Sequence, residues 1–203
     1  MTTALPVIET ERLIVRPFVL DDLAECHLVL SNAWGVPLAD QPSQLPERER
    51  WLQWTIASEA ALADLMQPPF GDRAISRKRD GRLIGSVGLV PALGPFNLLP
   101  GFPAHQVSPH WFAEFGLFWA VDPAHQRQGY ATEAARALIR QAFAQFHLGR
   151  IVATTEFTNV RSLAVMRKLG MRILRNPGPE PPWFQAVGVL ESEEDSGDTT
   201  AYG

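Results

Sequence analysis

From Ala131 to Phe146 apolar side chains recur every three or four residues: Ala131, Ala134, Ala135, Leu138, Ile139, Ala142, Phe143 and Phe146. That spacing places them on one face of a helix, and it predicts a helix over 130–147 with one side against a core. Residues 112–121 are patterned differently, almost wholly apolar apart from Glu114 and Gly116, as expected of a strand covered on both faces. Two β-like runs, 73–79 and 82–90, flank Asp80-Gly81, a strong hairpin signal. Leu13-Ile14-Val15 is a short β-branched run ended by Pro17. A helix opens after it at Asp21-Asp22, with Leu23, Cys26, His27 and Leu30 on one face. A second helix is expected over 46–63, with Pro46 as its starting proline. Beyond the long helix, 151–154 reads as a buried strand, 160–169 as a helix stopped by Gly170, 171–174 as a strand, and 183–190 as holding the last strand. The order β, α, α, β, β, β, α, β, α, β, β predicts an α/β fold with a mixed sheet and helices on its faces.

One stretch breaks this rhythm. Between Val90 and Phe112 lie Pro91, Pro95, Pro100, Pro103 and Pro109, with Gly94 and Gly101 among them. So long a loop inside a compact domain is usually functional or disordered. Phe96, Leu98, Leu99, Phe102 and Trp111 make it too apolar for a free linker. It reads as a packed lid or a contact between two copies in a homodimer, against the alternative of an insertion resting on the sheet.

With 203 residues, 46% of them hydrophobic, the chain can bury one substantial core without covalent staples. The single cysteine, Cys26, agrees: it forms no disulfide within the chain, supplies no paired thiolate site for a metal, and reads as a buried structural thiol in a reducing cytoplasm. Residues 1–11 hold no basic segment leading into an apolar one. No apolar run is long enough to cross a bilayer, so neither export nor a membrane is expected. The net charge of −4 comes from 18 basic and 22 acidic side chains. Five of the acids (Glu191, Glu193, Glu194, Asp195 and Asp198) fall within 191–203, which leaves 17 acidic against 18 basic in the rest. The chain therefore divides into a near-neutral domain over 1–190 and an acidic tail over 191–203, expected to be disordered because it cannot bury enough to offset its ordering entropy. An extended nucleic-acid surface is not expected, since no basic cluster is present.

The most informative chemistry lies where the apolar strand passes through Asp122-Pro123-Ala124-His125 into Gln126-Arg127-Gln128-Gly129-Tyr130-Ala131-Thr132 and so into the long helix. A strand–loop–helix junction of this kind concentrates unpaired backbone N–H groups and the positive end of the helix dipole, and so favours an anion such as phosphate. Gly129 permits close backbone approach, and Arg127 adds a cation. Local features alone leave an ordinary helix start as the equal alternative.

These residues resemble a known signature. Gln126 to Ala131 is similar to the Gln/Arg-x-x-Gly-x-Gly/Ala motif of the GNAT superfamily of acetyltransferases. Thr10-Glu11-Arg12-Leu13-Ile14-Val15-Arg16-Pro17 with Asp21-Asp22, Glu114-Phe115-Gly116-Leu117, and Asn159-x-x-Ser162 followed by Met166 to Met171 resemble, in order, the RimJ/RimL-like branch of ribosomal-protein N-terminal acetyltransferase relatives. The resemblance covers about 9–174. It implies an acyl-CoA N-acyltransferase fold, a mostly antiparallel splayed sheet with helices on both faces. It also implies acetyl-CoA as the acetyl donor and transfer to an amine acceptor, either a protein N-terminal α-amine or a small-molecule amine.

By the same resemblance the pyrophosphate meets the amides of Gln126, Arg127, Gln128, Gly129, Tyr130, Ala131 and Thr132, and the pantetheine arm runs along Phe118, Trp119, Ala120 and Val121. Asn159 hydrogen-bonds the pantetheine, and Ser162 approaches the sulfur. Glu114 is the general-base or amine-binding candidate: it is the one acid in an apolar strand, where desolvation is expected to raise its pKa. Structural alternatives stay open, with an internal ion pair for Glu114, an N-cap for Asn159 and a plain helix polar residue for Ser162. The only tyrosines are Tyr130 and Tyr202, so a tyrosine general acid on the 160–169 helix is excluded by composition. Gly85-Ser86-Val87-Gly88 lacks the spacing of a serine-hydrolase elbow. His105 and His110 lack a third ligand, and no metal is expected. Trp34, Trp51, Trp54 and Trp183 are candidates to line the acceptor cleft or to pack in the core. A different class of function remains, an acyl-CoA-binding regulatory module without turnover.

Overall fold

The computed structural model describes residues 3–103, 110–178 and 180–192. Its elements follow the expected alternation, with one short strand added at the start. Eight strands form a mixed, mostly antiparallel open sheet. The chain divides into two compact units, one made of the residues up to Val90 together with Phe118–Gln141, the other of Pro91–Leu117 together with the residues from Ala142 onward.

The first unit opens with β1 (Ile8–Glu9), β2 (Leu13–Arg16), α1 (Leu23–Ala33), α2 (Gln41–Asp64), β3 (Gly71–Arg77) and the first part of β4 (Leu83–Gly94). The strands pair antiparallel in that order, with Leu13 opposite Arg77 and Ala74 opposite Ser86. Asp80-Gly81 makes the β3–β4 turn as its sequence requires: Gly81 takes φ 70°, Gly81 N donates to Arg77 O (2.8 Å) and Arg77 N to Arg82 O (2.9 Å). α1 and α2 bury Cys26, Val29 and Leu52 against Phe18, Ala74 and Leu83. The start of α2 differs from the expectation. Pro46 lies inside the helix and the first turn carries Pro42 instead. Pro46 gives up one backbone bond, and its ring faces the carbonyl of residue 42, a cost the rest of a 24-residue helix absorbs.

The second unit holds the first part of β5 (Phe112–Val121), then β6 (Arg150–Thr155), α4 (Val160–Leu169), β7 (Arg172–Arg175) and β8 (Ala186–Glu191). β6 and β7 both pair antiparallel with β8, whereas β5 runs parallel to β6 with Gly116 opposite Val152. The Pro-rich stretch is part of this core. β4 continues to Gly94, a 3-10 turn covers Phe96–Leu98, and Phe96 and Leu99 are buried with Val152, Leu174, Phe184, Val187 and Val189. Phe96 meets the rings of Phe102 and Phe184 at 5.5 and 5.2 Å. The described part of the loop is thus an insertion packed on the sheet, and 104–109, with His105, lie outside the described residues. So does the acidic stretch from 193 onward; Glu191 is the last residue of β8.

Candidate functional site

In the first unit β5 ends at Val121 and a 3-10 turn, Pro123–His125, leads toward α3 (Tyr130–Phe146). Asp122 shapes this junction. Its Oδ1 accepts from Ala124 N (2.7 Å) and so caps the turn, its Oδ2 accepts from Asn32 Nδ2 (2.8 Å), and its own N–H donates to Ile84 O (2.9 Å). Gln126 Nε2 donates to Val121 O (2.9 Å), closing the loop on the strand it leaves. Two residues then enter the left-handed region, Arg127 at φ 62° and Gly129 at φ 84°. For arginine this conformation costs about 1 kcal/mol or more, and such strain gathers at ligand sites. The first bond of α3 runs from Glu133 N to Gly129 O (3.0 Å), so helix geometry leaves the preceding amides without a carbonyl four residues back. Gln126 N itself donates to Pro123 O (3.3 Å), so it is Arg127 to Gly129, a strained loop, together with the first turn of α3 through Thr132, that bring N–H groups to the positive end of a 17-residue helix. Trp119, Ala120 and Val121 lie at the end of β5 that feeds it, with Ala120 and Val121 buried.

A clamp that the sequence did not disclose fixes the helix start. Glu133 Oε1 accepts from Thr10 Oγ1 (2.6 Å) and Arg12 N (3.0 Å), while its Oε2 accepts from Arg12 Nε (2.7 Å). Arg12 also donates to Gln128 O (3.0 Å) and lies over the Tyr130 ring at 4.6 Å. Burial alone raises the Glu133 carboxyl, but the hydrogen bonds from Thr10 and Arg12 outweigh it and hold the group below its usual range. Thr10 and Arg12 fall in one motif segment, and Glu133 lies just beyond the end of another. A pairing across 121 residues, however, leaves no local pattern to read.

In the second unit Asn159 caps α4, its Oδ1 accepting from Ser162 N (3.1 Å), and the helix closes with Gly170 at φ 85° as its left-handed cap residue. Asn159 and Ser162 are therefore brought together, with Asn159 exposed and Ser162 half-buried. Glu114 stands elsewhere. It is buried at the end of the pair where β6 begins, and Arg150 grips it with a two-pronged bond, Nε to Oε2 and NH2 to Oε1, both 2.8 Å. Arg150 also donates to Pro103 O (2.6 Å) and packs over Phe102 at 4.8 Å, tying the Pro-rich insertion to the same place. The rise of a six-residue strand, about 16 Å, separates this pair from the end of β6 that leads to Asn159 and Ser162. Glu114 and Arg150 line a cleft of about 430 Å³ with Phe115, His147, Gly149 and Glu191.

Other candidates take structural places. Cys26 is fully buried, and burial pushes its thiol up to about 12. Gly85 and Ser86 lie within β4, and a Cβ on Gly85 would strike the backbone of Ala120. Among the described residues no three histidine, cysteine or acidic side chains converge as a metal site, and no helix is long and apolar enough to cross a membrane.

Comparison with known proteins gives the class to which this fold belongs. Residues 12–172 match the family model for the acetyltransferase (GNAT) domain, so the chain belongs to the GNAT acetyltransferases. The uncharacterized N-acetyltransferase YnaD of Bacillus subtilis is 40% identical over 70 residues, 34% of this chain and 41% of that protein. The first two curated relatives are matched over only 41% and 56% of their own lengths. Among solved structures, the ribosomal-protein-S5-alanine acetyltransferase of Vibrio fischeri superposes with a TM-score of 0.65 at 16% identity, covering 94% of this chain and 98% of that one. RimJ of Mycobacterium smegmatis, in complex with CoA-disulfide, gives 0.60 at 19% identity, covering 90% and 83%. The fold is thus shared with RimJ/RimL-like ribosomal-protein acetyltransferases, as the motif order implied.

Proposed function

We propose that the protein is an N-acetyltransferase that moves the acetyl group of acetyl-CoA directly to a primary amine. The observation that carries this reading is the loop into α3, where Arg127 and Gly129 hold left-handed conformations and the amides through Thr132 precede the first helical bond. The pyrophosphate of the coenzyme takes those N–H groups, from Arg127 through Gln128, Gly129, Tyr130 and Ala131 to Thr132, while Gln126, bonded to Pro123 O and Val121 O, holds the start of the loop in place behind them. The pantetheine arm pairs with backbone of Trp119, Ala120 and Val121, and with Asn159 through the amide group that its cap bond leaves free. Ser162 lies one turn on, where its hydroxyl serves the departing sulfur as a hydrogen-bond donor. No protein nucleophile enters; the amine attacks the thioester once it is neutral and placed.

Glu114 binds that amine as it enters rather than deprotonating it at the thioester, since about 16 Å of β6 lies between it and the end that leads to Ser162. Its two oxygens each give one acceptor site to Arg150, and a carboxylate has about four such sites, so two remain for an ammonium or amine. The acceptor is a protein N-terminal α-amine or a small-molecule amine, and a reducing cytoplasm suits the single buried thiol.

The Glu114–Arg150 pair also favours a second reading, an acyl-CoA-binding module in which this carboxylate is purely structural. Release of free thiol from acetyl-CoA, followed over a panel of amines and N-terminal peptides, separates the two. Amine-stimulated release that falls at least about a hundredfold in Glu114→Gln supports the enzyme. Coenzyme binding with no amine-stimulated release supports the module and overturns the enzyme.

A further inference from the structure

Within the first unit a second site stands apart from the phosphate loop. α1 ends at Ala33, and Trp34, its C-cap residue, leaves 52% of its surface exposed. α2 presents Arg48 and Trp51 three residues apart, hence on one face. The Arg48 guanidinium packs over both indoles, 4.8 Å from the Trp34 ring and 5.1 Å from that of Trp51. Trp51 is itself fixed by an edge-to-face contact with Phe18 at 5.5 Å.

Arg48 is 8% exposed, its Nε is sealed from water with no hydrogen-bond partner, and among the described residues no carboxylate pairs with it. A guanidinium buried to this degree is ordinarily paired, because its desolvation is otherwise uncompensated. Asp72, on β3, is an acid whose field reaches Arg48, yet it stays out of contact, and burial pushes its own carboxyl up to about 6. Burial likewise lowers the pKa of Arg48.

The cage is also joined to the donor loop. Gln41 Nε2 donates to Val36 O (3.2 Å) and to Asn32 Oδ1 (3.1 Å), and Asn32 in turn donates to Asp122, which caps the turn before the phosphate loop. The segment carrying Trp34 is therefore anchored to the junction that leads into that loop.

We propose that Arg48, walled by Trp34 and Trp51, binds a carboxylate of the acceptor, so that the acceptor is an amine that also bears a carboxylate. The planar guanidinium matches a carboxylate in two parallel N–H···O bonds, and the indoles keep competing water away. This rests on the reading of the chain as an amine acetyltransferase. Two sources share the chemistry, a free amino acid and a peptide whose N-terminal residue is acidic.

The test compares acetylation of matched amines, a free amino acid against its amide and an aspartyl-initiated peptide against its asparaginyl twin, by wild type, Arg48→Gln and Arg48→Lys. At least one pair should show about a tenfold or greater preference in kcat/KM for the carboxylate, carried by KM. Whichever pair does so identifies the source. Arg48→Gln should erase the preference, Arg48→Lys should keep part of it, and calorimetric affinity for acetyl-CoA should stay as in wild type. If Arg48→Gln fails to fold, Trp34→Ala, at an exposed position, replaces it and should weaken the same preference.

A tryptophan-fluorescence titration with the same ligands reads binding without turnover; the carboxylate member should change the signal, and Trp34→Phe should reduce that change. Turnover with no carboxylate preference in either pair, or a preference that survives Arg48→Gln, overturns the Arg48 site and leaves the acetyltransferase standing. Carboxylate-dependent fluorescence without any acetylation supports the site and overturns the enzyme.

Discussion

Burial works against Asp72 and Cys26 in the first unit, and each leaves a measurable signature. Asp72 is pushed from an ordinary 3.8 up to about 6, so between those values the folded protein binds more protons than the unfolded chain. Stability from this group is present below pH 4 and is lost as the pH rises through 6. Asp72→Asn should accordingly raise the Tm at pH 7.5 by a few degrees, roughly 2–4 °C per kcal/mol for a chain of this size, and leave it nearly unchanged at pH 4, as thermal melts at the two pH values would show. Cys26, with its thiol pushed up to about 12, stays protonated and covered. A disulfide reagent at pH 8 should modify it at least about a hundredfold more slowly in the native protein than in guanidinium. Equal rates would mean the thiol is open.

Two helix starts hold their sites by different means. At α3, Glu133 collects Thr10 and Arg12, so Glu133→Ala removes these acceptor contacts and leaves the Arg12 backbone N–H without its acceptor and its guanidinium without a carboxylate. A loss of about 1 kcal/mol in chemical denaturation is expected, the contacts being partly open to water, together with weaker acetyl-CoA binding, because Arg12 also holds the Gln128 carbonyl. This tie is complete at neutral pH and is lost as acid titrates Glu133 through its lowered pKa. At α4, Asn159 caps Ser162 N, and the proposed coenzyme contact is a separate role for the same side chain. Asn159→Ser should keep most of the roughly 1 kcal/mol cap and Asn159→Ala should lose it. If the amide also meets the pantetheine, acetyl-CoA affinity falls in both; a fall that follows stability alone would make Asn159 a cap and nothing more.

Over the whole molecule, what the sequence disclosed follows from the range of each interaction. β5 and α4 begin and end where the apolar pattern, Asn159 and Gly170 place them, and Asp80-Gly81 makes its turn, because those signals are local. α2 hid its start because two prolines compete for one role and the first, Pro42, lies outside the apolar pattern. The loop into α3 stood out in the sequence as a motif, but the Glu133 clamp, the Arg150 grip on Glu114 and the contact of Arg48 with Trp34 join residues of separate elements that carry no mutual signature. The Pro-rich stretch was ambiguous for the same reason: only the tertiary neighbours of Phe96 and Leu99 reveal that it belongs to a core. Net charge said nothing of the two ion pairs, Glu133 with Arg12 and Glu114 with Arg150, since each cancels within itself.

The reading of the loop at Arg127–Thr132 as the coenzyme's anchor is tested most directly by calorimetric titration of acetyl-CoA into wild type and Gly129→Glu, with thermal melts to confirm that both are folded. At φ 84°, and with a Cβ there 3.4 Å from Arg12, a glutamate adds strain and negative charge where the pyrophosphate should lie. Saturable binding to wild type and a loss of at least about a hundredfold in the variant are expected. Equal affinity in the two folded proteins, or no binding by wild type, would contradict the assignment.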